Sequence, residues 1–138
     1  MALEKMENGL NFAFMYEKKT TPNLTCGLDL IGEVLYGKWK IRLLWFIAEG
    51  FKRPSELQGK IPDAPRRVLS AQLKELQDHE LVTRIIYPVV PPKVEYSLTE
   101  FGETLLPVIA ALGQWGDTNE ARLRNVILKR IENPQSLE

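Results

Sequence analysis

The sequence predicts a mainly α-helical protein with one small β-hairpin. Apolar residues recur at helical spacing through most of the 138 residues, whereas residues 82–87 and 93–98 are rich in the β-branched and aromatic side chains typical of strands. The segment between these two runs contains three prolines, which cannot continue a strand ladder. We therefore expect three short helices, then a hairpin with a stiff tip, and further helices at both ends of the chain.

The N-terminal half is predicted to contain a central buried helix. Residues 1–17 carry one apolar stripe, and residues 26–36 carry a second one after a polar connection that contains Pro22. Residues 38–49 are apolar around most of the helix, which is typical of a helix enclosed by its neighbours. Gly50 follows where helices often end in a left-handed residue.

A short helix and a longer one are expected next. Pro54 suits the first turn of a helix that ends at residue 60. Asp63 is expected to cap a helix over residues 64–79, with Ala64 and Pro65 in its first turn. The core face of this helix is predicted to carry Leu69, Leu73 and Leu76.

The C-terminal part is predicted to be helical. Thr99 is expected to cap a helix over residues 100–115, which Gly116 and Asp117 end, and a last helix follows to residue 131. Both ends of the chain carry more apolar surface than a small central domain needs, so we expect a dimer interface there. The expected divisions are an N-terminal arm at 1–25, a central domain at 26–99 and C-terminal helices at 100–138. The interface residues are predicted to be Leu3, Met6, Leu10, Phe14, Leu105, Ile109, Leu112, Leu123 and Ile127.

Composition excludes several classes of protein. The hydrophobic share of 44% and the charged share of 26% are ordinary for a globular domain. No apolar run approaches the roughly 20 residues that span a bilayer. The N-terminus lacks the basic and apolar regions of a signal peptide. We therefore expect a cytoplasmic protein that does not contact a membrane.

The scarcity of reactive side chains argues against an enzyme. Cys26 and His79 are the single cysteine and the single histidine, so a disulfide within one chain is impossible and a Cys/His zinc site is nearly excluded. There is no glycine-rich phosphate loop, and no catalytic constellation can be assembled. We predict no catalysis, no metal and no cofactor.

The distribution of charge favours a nucleic-acid partner. The net charge is zero, but residues 38–93 carry 11 basic against 6 acidic residues. Three short helices followed by a hairpin form the layout of a winged helix-turn-helix, which places the helix over 64–79 in the DNA major groove. Small residues on its outward face, Ser70 and Ala71, allow close approach, and Arg66 and Arg67 can reach phosphates or guanine edges.

The exposed charges also have explanations that do not involve DNA. Any surface helix has a charged face, although two arginines in a first turn oppose the helix dipole and phosphate contact would offset that cost. Arg84 and Lys93 are expected to flank the proline tip and meet a phosphate or a minor groove, but strand residues facing water fit equally well. The predicted DNA contacts are Lys38, Arg53, Arg66, Arg67, Ser70, Lys74, Arg84 and Lys93.

Two motifs in a fixed order carry a resemblance to a known family. G-K-W-K at residues 37–40 and P-P-K-V-E-Y-S-L-T at residues 91–99 frame a segment that resembles the HxlR-type winged helix-turn-helix regulators, and the resemblance covers residues 26–116. It implies transcriptional control in a bacterium or archaeon by a homodimer. Its terminal helices join the subunits, and each recognition helix and wing engages a half-site of a palindromic operator. Pro65 and Glu80 depart from the serine and glycine usual in the family.

The resemblance also implies a sensor. Several members of this family sense electrophiles or oxidants through a cysteine at the position of Cys26, where a helix N-terminus favours the reactive thiolate. The alternative is a small packing residue, as free cysteines often are. Two other functions stay open: a protein-binding winged helix, or a ligand-responsive regulator of the same fold whose pocket is lined by Phe12, Phe14, Tyr16, Trp45 and Trp115.

Overall fold

The fold is known from a computed structural model, which describes residues 24–137. The chain divides into two units, of which one ends at Tyr36 and the other begins at Gly37. The first unit contains helix α1 (Gly27–Leu35), as the apolar stripe predicted. The helix expected over residues 1–17 lies outside the described residues.

Three helices open the second unit. They are α2 (Lys40–Ala48), α3 (Pro54–Lys60) and α4 (Arg66–Asp78). Gly50, with φ of 106°, follows α2 in the left-handed region, as expected. The apolar faces of the three helices meet in one core, which confirms the predicted leucine row of α4. The buried core residues from these helices are Leu43, Leu44, Ile47, Leu57, Leu69, Leu73 and Leu76.

The hairpin has the predicted bounds. Strands β1 (Val82–Tyr87) and β2 (Lys93–Leu98) pair antiparallel, from Val82 opposite Leu98 to Tyr87 opposite Lys93. The backbone N–H of the buried Tyr96 donates a 2.8 Å hydrogen bond to the carbonyl of Lys52. The hairpin is therefore attached to the segment that joins α2 to α3.

A tight turn connects α4 to β1. Glu80 has a φ of 62°, a left-handed conformation that costs a residue with a side chain about 1–2 kcal/mol. Its N–H donates to the carbonyl of Gln77, and the N–H of Leu81 donates to that of Leu76, both at 3.0 Å. These two bonds form a Schellman motif, and they place Leu81 in the core.

The predicted start of α4 is wrong by two residues. Pro65 is the N-cap, with ψ of 140°, and the helix begins at Arg66. A proline disfavours helical conformation in the residue before it, and Pro65 is itself extended, so Ala64 does not belong to the helix that Asp63 was expected to cap. Ala64 is instead buried, and its carbonyl accepts a 2.8 Å hydrogen bond from Nε2 of Gln58.

The C-terminal helices also differ from the prediction. The helix expected over 100–115 is divided into α5 (Glu100–Glu103) and α6 (Leu106–Thr118), because Pro107 lacks the N–H that would continue the ladder. Thr99 caps α5 as predicted, accepting a 2.9 Å bond from the N–H of Gly102. Gly116 and Asp117 do not end α6, which continues to Thr118 and is followed by α7 (Glu120–Glu132) and a 3-10 turn (Pro134–Leu137).

The predicted fold class is confirmed. The described part of the chain is mainly α-helical with one two-stranded hairpin, and α2, α3, α4, β1 and β2 follow each other in winged helix-turn-helix order. The limits 1–25, 26–99 and 100–138 stay predictions. Among the described helices, none is long and apolar enough to cross a membrane.

The junction of hairpin and α5 makes a stability prediction. A side chain at Gly102 would collide with the backbone carbonyl of Leu81, which also accepts the N–H of Thr99. Backbone cannot rotate away as a side chain can, so Gly102→Ala is expected to lower the free energy of unfolding by about 1–3 kcal/mol in urea titration. Gly59→Ala, in open space within α3, is the control and is expected to be neutral or slightly stabilising. Equal effects of the two variants would contradict the close approach.

Candidate nucleic-acid interface

Helix α4 is held against the start of α2 by two polar contacts. The backbone N–H of Trp39 donates a 3.0 Å hydrogen bond to Oε1 of Gln72. Lys40 is 1% exposed, and its ammonium lies 3.7 Å from the carboxylate of Glu75. Lys40 is one of the 11 basic residues of segment 38–93, but its charge is enclosed and paired, and does not belong to the outer surface.

The opposite face of α4 is exposed and carries the predicted contact residues. Arg66, Arg67 and Ser70 are all exposed, and no ion pair or side-chain hydrogen bond engages the two arginines within the described part of the chain. Lys74 is also exposed, but its ammonium lies 2.6 Å from the carboxylate of Asp78. The structure therefore brings these four side chains to one face, with Lys74 partly neutralised.

The N-terminus of α4 adds hydrogen-bond donors to this face. Pro65 supplies no side-chain cap, while its carbonyl accepts the N–H groups of Val68 and Leu69. The amides of Arg66 and Arg67 precede the first intrahelical bonds, as in any helix start. Such a terminus attracts anions, so the amides and the two guanidinium groups present the same polarity to a phosphate.

The two predicted contact residues of the hairpin, Arg84 and Lys93, lie at different distances from its tip. Lys93 pairs with Tyr87 at the tip, and its ammonium is 5.0 Å from the centre of that ring. Arg84 is exposed but pairs with Tyr96, in the middle of the strand. The expectation that both residues flank the proline tip is therefore wrong for Arg84. The tip itself is apolar, and Val90 is fully exposed there.

Two predicted contact residues share one carboxylate. The ammonium of Lys93 lies 3.3 Å from Glu95, and Nε of Arg53 lies 3.8 Å from the same oxygen. Partial burial raises the pKa of the Glu95 carboxyl, but the hydrogen bond and charge of Lys93 oppose this. With a hydrogen bond from Tyr87 and the charge of Arg53 added, the pKa of Glu95 lies below its ordinary value.

Arg53 and Lys93 were predicted as contact residues from the sequence, but the carboxylate of Glu95 that binds both of them was not. The two-residue period of a strand puts Lys93 and Glu95 on the same face of β2, so this half of the cluster was present in the pattern. The contribution of Arg53 was not, because it depends on the attachment of β2 beside Lys52. The remaining predicted contact, Lys38, is exposed, and its ammonium lies 4.8 Å from the ring centre of Trp39.

Cys26 lies at the N-cap of α1. Its thiol is exposed and unpaired by any disulfide, and its carbonyl accepts the N–H of Leu30 at 3.0 Å. Within the single chain this thiol is therefore not packed in a core. Among residues 24–137, no group of histidine, cysteine and acidic side chains is arranged to hold a metal ion.

The predicted dimer residues are distributed unequally. Leu3, Met6, Leu10 and Phe14 lie outside the described residues. Leu112 and Ile127 are about half exposed, at 51% and 55%. Leu105 and Leu123 are half-buried, and Ile109 is buried in the core of the second unit, where it supports the fold instead of presenting a surface. Other exposed apolar residues of the last two helices are Val108, Trp115, Val126, Leu128 and Ile131.

Comparison with known proteins identifies relatives over most of the chain. The sequence is 48% identical over 92 residues to the HTH-type transcriptional regulator YkvN of Bacillus subtilis, a match covering 67% of this chain and 78% of that protein. It is 43% identical over 107 residues to the HTH-type regulator YybR of the same organism, covering 76% of this chain and 86% of the relative.

A solved structure matches as well. The reduced form of the redox regulator HypR superimposes with a TM-score of 0.69 at 40% identity, covering 72% of this chain and 99% of that one. The profile of the HxlR-like helix-turn-helix family matches residues 34–124, well over half of the sequence. The resemblance inferred from the motifs is thereby confirmed, and the chain belongs to the HxlR-like helix-turn-helix family of transcriptional regulators.

Proposed function

We propose that this protein binds duplex DNA sequence-specifically as a homodimer and controls transcription from a palindromic operator. The observation that carries the proposal is the outer face of α4. There Arg66 and Arg67 are exposed and unpaired within residues 24–137, beside the small Ser70 and Ala71. In helix-turn-helix proteins the second helix enters the major groove with its N-terminal residues at base edges. Acting on the chromosome of a bacterium implies a cytoplasmic location.

The roles of the side chains follow from their positions. Arg67 and Ser70 lie toward the middle of the exposed face of α4 and are assigned to base edges, where an arginine can donate two hydrogen bonds to guanine. Arg66 lies on the flank of that face and is assigned to phosphate. The remaining cations, Lys38, Arg53, Lys74, Arg84 and Lys93, are assigned to the phosphate backbone, which supplies sequence-independent affinity.

The homodimer is supported by the apolar surface of α6 and α7. Val108, Leu112 and Trp115 recur at three- and four-residue spacing on one face of α6, and they are 43%, 51% and 60% exposed. An exposed apolar row of this kind on a globular protein marks an interaction site. A second copy is the occupant that the function requires, because a palindromic operator is matched by a two-fold symmetric protein.

Oxidation of Cys26 is the proposed signal. Its thiol is exposed at a helix N-terminus, and a similar solved protein, HypR, is a redox regulator with reduced and oxidised forms. Hydrogen peroxide would oxidise the thiol to a sulfenic acid, with one peroxide oxygen transferred to sulfur and the other released as water. One chain holds no second cysteine, so the thiol that displaces the second water and closes a disulfide belongs to the other subunit.

A cleft in the second unit favours a second signal. Its volume is about 580 Å³, within the range of small-molecule sites, and it lies between α2 and α6. The lining is largely apolar and includes Trp45, one of the aromatic residues assigned to a pocket from the sequence, together with Phe46 and Leu112. A ligand bound there is the alternative to Cys26 as the regulator of DNA binding.

Replacement of Arg67 tests the DNA interface. Binding to the DNA that flanks the protein's own gene is measured by fluorescence anisotropy at low and high salt. Arg67→Ala is expected to lower the operator affinity by about 1–3 kcal/mol and to relax specificity at one position. Arg122→Ala, an exposed arginine of α7, is the charge-matched control. Equal affinities of the two variants would remove Arg67 from the interface, and binding that is absent at both salt concentrations would favour a protein-binding module.

Light scattering tests the dimer. The wild-type protein is expected to have the mass of two chains at micromolar concentration. Leu112→Glu is expected to give the mass of one chain, because a charge would be buried at the interface. Gln114→Glu adds the same charge to α6 away from the row of Val108, Leu112 and Trp115, and is expected to remain dimeric. A wild-type monomer would overturn the proposal of a homodimer.

Oxidant treatment tests the sensor. Hydrogen peroxide is expected to change the operator affinity of the wild-type protein and to produce a disulfide-linked dimer on a non-reducing gel. Cys26→Ser is expected to bind the same DNA and to ignore the oxidant. If the variant responds as strongly as the wild type, Cys26 is not the sensor. If neither protein responds, the redox switch is wrong and the cleft beside Trp45 becomes the site to test.

A further inference from the structure

We propose that Glu95 limits the sequence-independent affinity of this protein for DNA by neutralising part of the charge of the wing. Its carboxylate lies 3.3 Å from the ammonium of Lys93 and 3.8 Å from Nε of Arg53. The inference rests on the proposed function, in which these two cations meet the phosphate backbone.

The cluster is built by two separate parts of the fold. Lys93 and Glu95 are two positions apart on β2 and therefore share a face of the hairpin. Arg53 comes from the N-cap of α3, and it is brought beside β2 because the preceding residue, Lys52, accepts the N–H of Tyr96. One carboxylate thus meets a cation of the wing and a cation of the helix-turn-helix.

The carboxylate reduces the charge that this surface offers to DNA. Lys93, Arg53 and Glu95 together carry a net charge of +1, where the two cations alone would carry +2. The pKa of Glu95 lies below its ordinary value, so it remains ionised at neutral pH. The side chains of Arg53 and Lys93 are 52% and 38% exposed. Their ion pairs with Glu95 are therefore accessible to solvent and contribute little to the stability of the fold.

The effect on DNA binding is larger than the effect on stability. Each phosphate that a cation neutralises releases condensed counterions, and this term dominates binding to any sequence. A phosphate that approaches Arg53 or Lys93 meets Glu95 as well, and the two anions repel each other. Arg66 and Arg67 on α4 have no such acidic partner within the described residues. Glu95 therefore weakens contacts that any duplex makes and spares those assigned to base edges.

The test is the salt dependence of binding to a mixed-sequence duplex by Glu95→Gln. We expect the variant to bind this duplex about three- to tenfold more tightly at moderate salt. The slope of log affinity against log salt concentration should be steeper by about 0.9 per subunit, equivalent to one further phosphate contact. Affinity for the operator should rise by a similar factor, because Arg53 and Lys93 meet the phosphate backbone in that complex as well.

Matched variants separate this effect from a change in overall charge or in folding. Glu132→Gln changes the net charge equally, at an exposed position in the last turn of α7, and is expected to bind as the wild type does. The triple variant that adds Arg53→Met and Lys93→Met to Glu95→Gln is expected to lose the gain in affinity for the mixed-sequence duplex. The melting temperature of Glu95→Gln should stay close to that of the wild type.

Each outcome decides the proposal. A slope and an affinity equal to those of Glu132→Gln would overturn it, and so would a shallower slope, since Glu95 would then position the cations for DNA. A gain that survives the loss of Arg53 and Lys93 would also overturn it. These failures differ from failure of the proposed function, in which the wild-type protein itself binds no DNA.

Discussion

The placement of α4 depends on a buried ammonium at the start of α2. Lys40 is almost fully enclosed, and a charge in that position is tolerated only when it is paired, because its hydration is lost. Its partner is Glu75 on α4, one turn from Gln72, which accepts the N–H of Trp39. The row of leucines decides which face of α4 is buried, while these two polar contacts restrict how the helix can slide or turn on the core.

Once that face is fixed, the outer face follows from the helical period. Residues on the side opposite Leu69 and Leu73 must project into solvent, and these include Arg67 and Ala71. The Schellman turn at Glu80 then sends the chain back into the core at Leu81 and on into β1. Because residue 102 is a glycine, α5 can pack against the backbone carbonyl of Leu81. The angle between recognition helix and wing is therefore set by backbone contacts and not by the exposed cations.

Local features of this fold were predictable, and contacts between distant segments were not. Both strands were predicted with their observed bounds, since β-branched residues and the flanking prolines act within a few positions. The start of α4 was missed although its cause is also local, because Pro65 was expected inside the helix and instead caps it. The burial of Lys40 and the meeting of Arg53 with Glu95 depend on tertiary packing, and no periodicity in either segment indicates them.

The zero net charge of the chain also has a physical meaning in this structure. A strongly basic protein binds any duplex tightly, and sequence preference then contributes only a small part of its affinity. In this protein one cation of the middle segment is buried, and three others, Lys74, Arg53 and Lys93, lie beside carboxylates. The arginines at the start of α4 have no acidic neighbour in the described region. Pairing therefore lowers the basic charge of the wing and of the end of α4, while Arg67, which is assigned to base edges, keeps its full charge. Base contacts then contribute a larger share of the affinity for DNA.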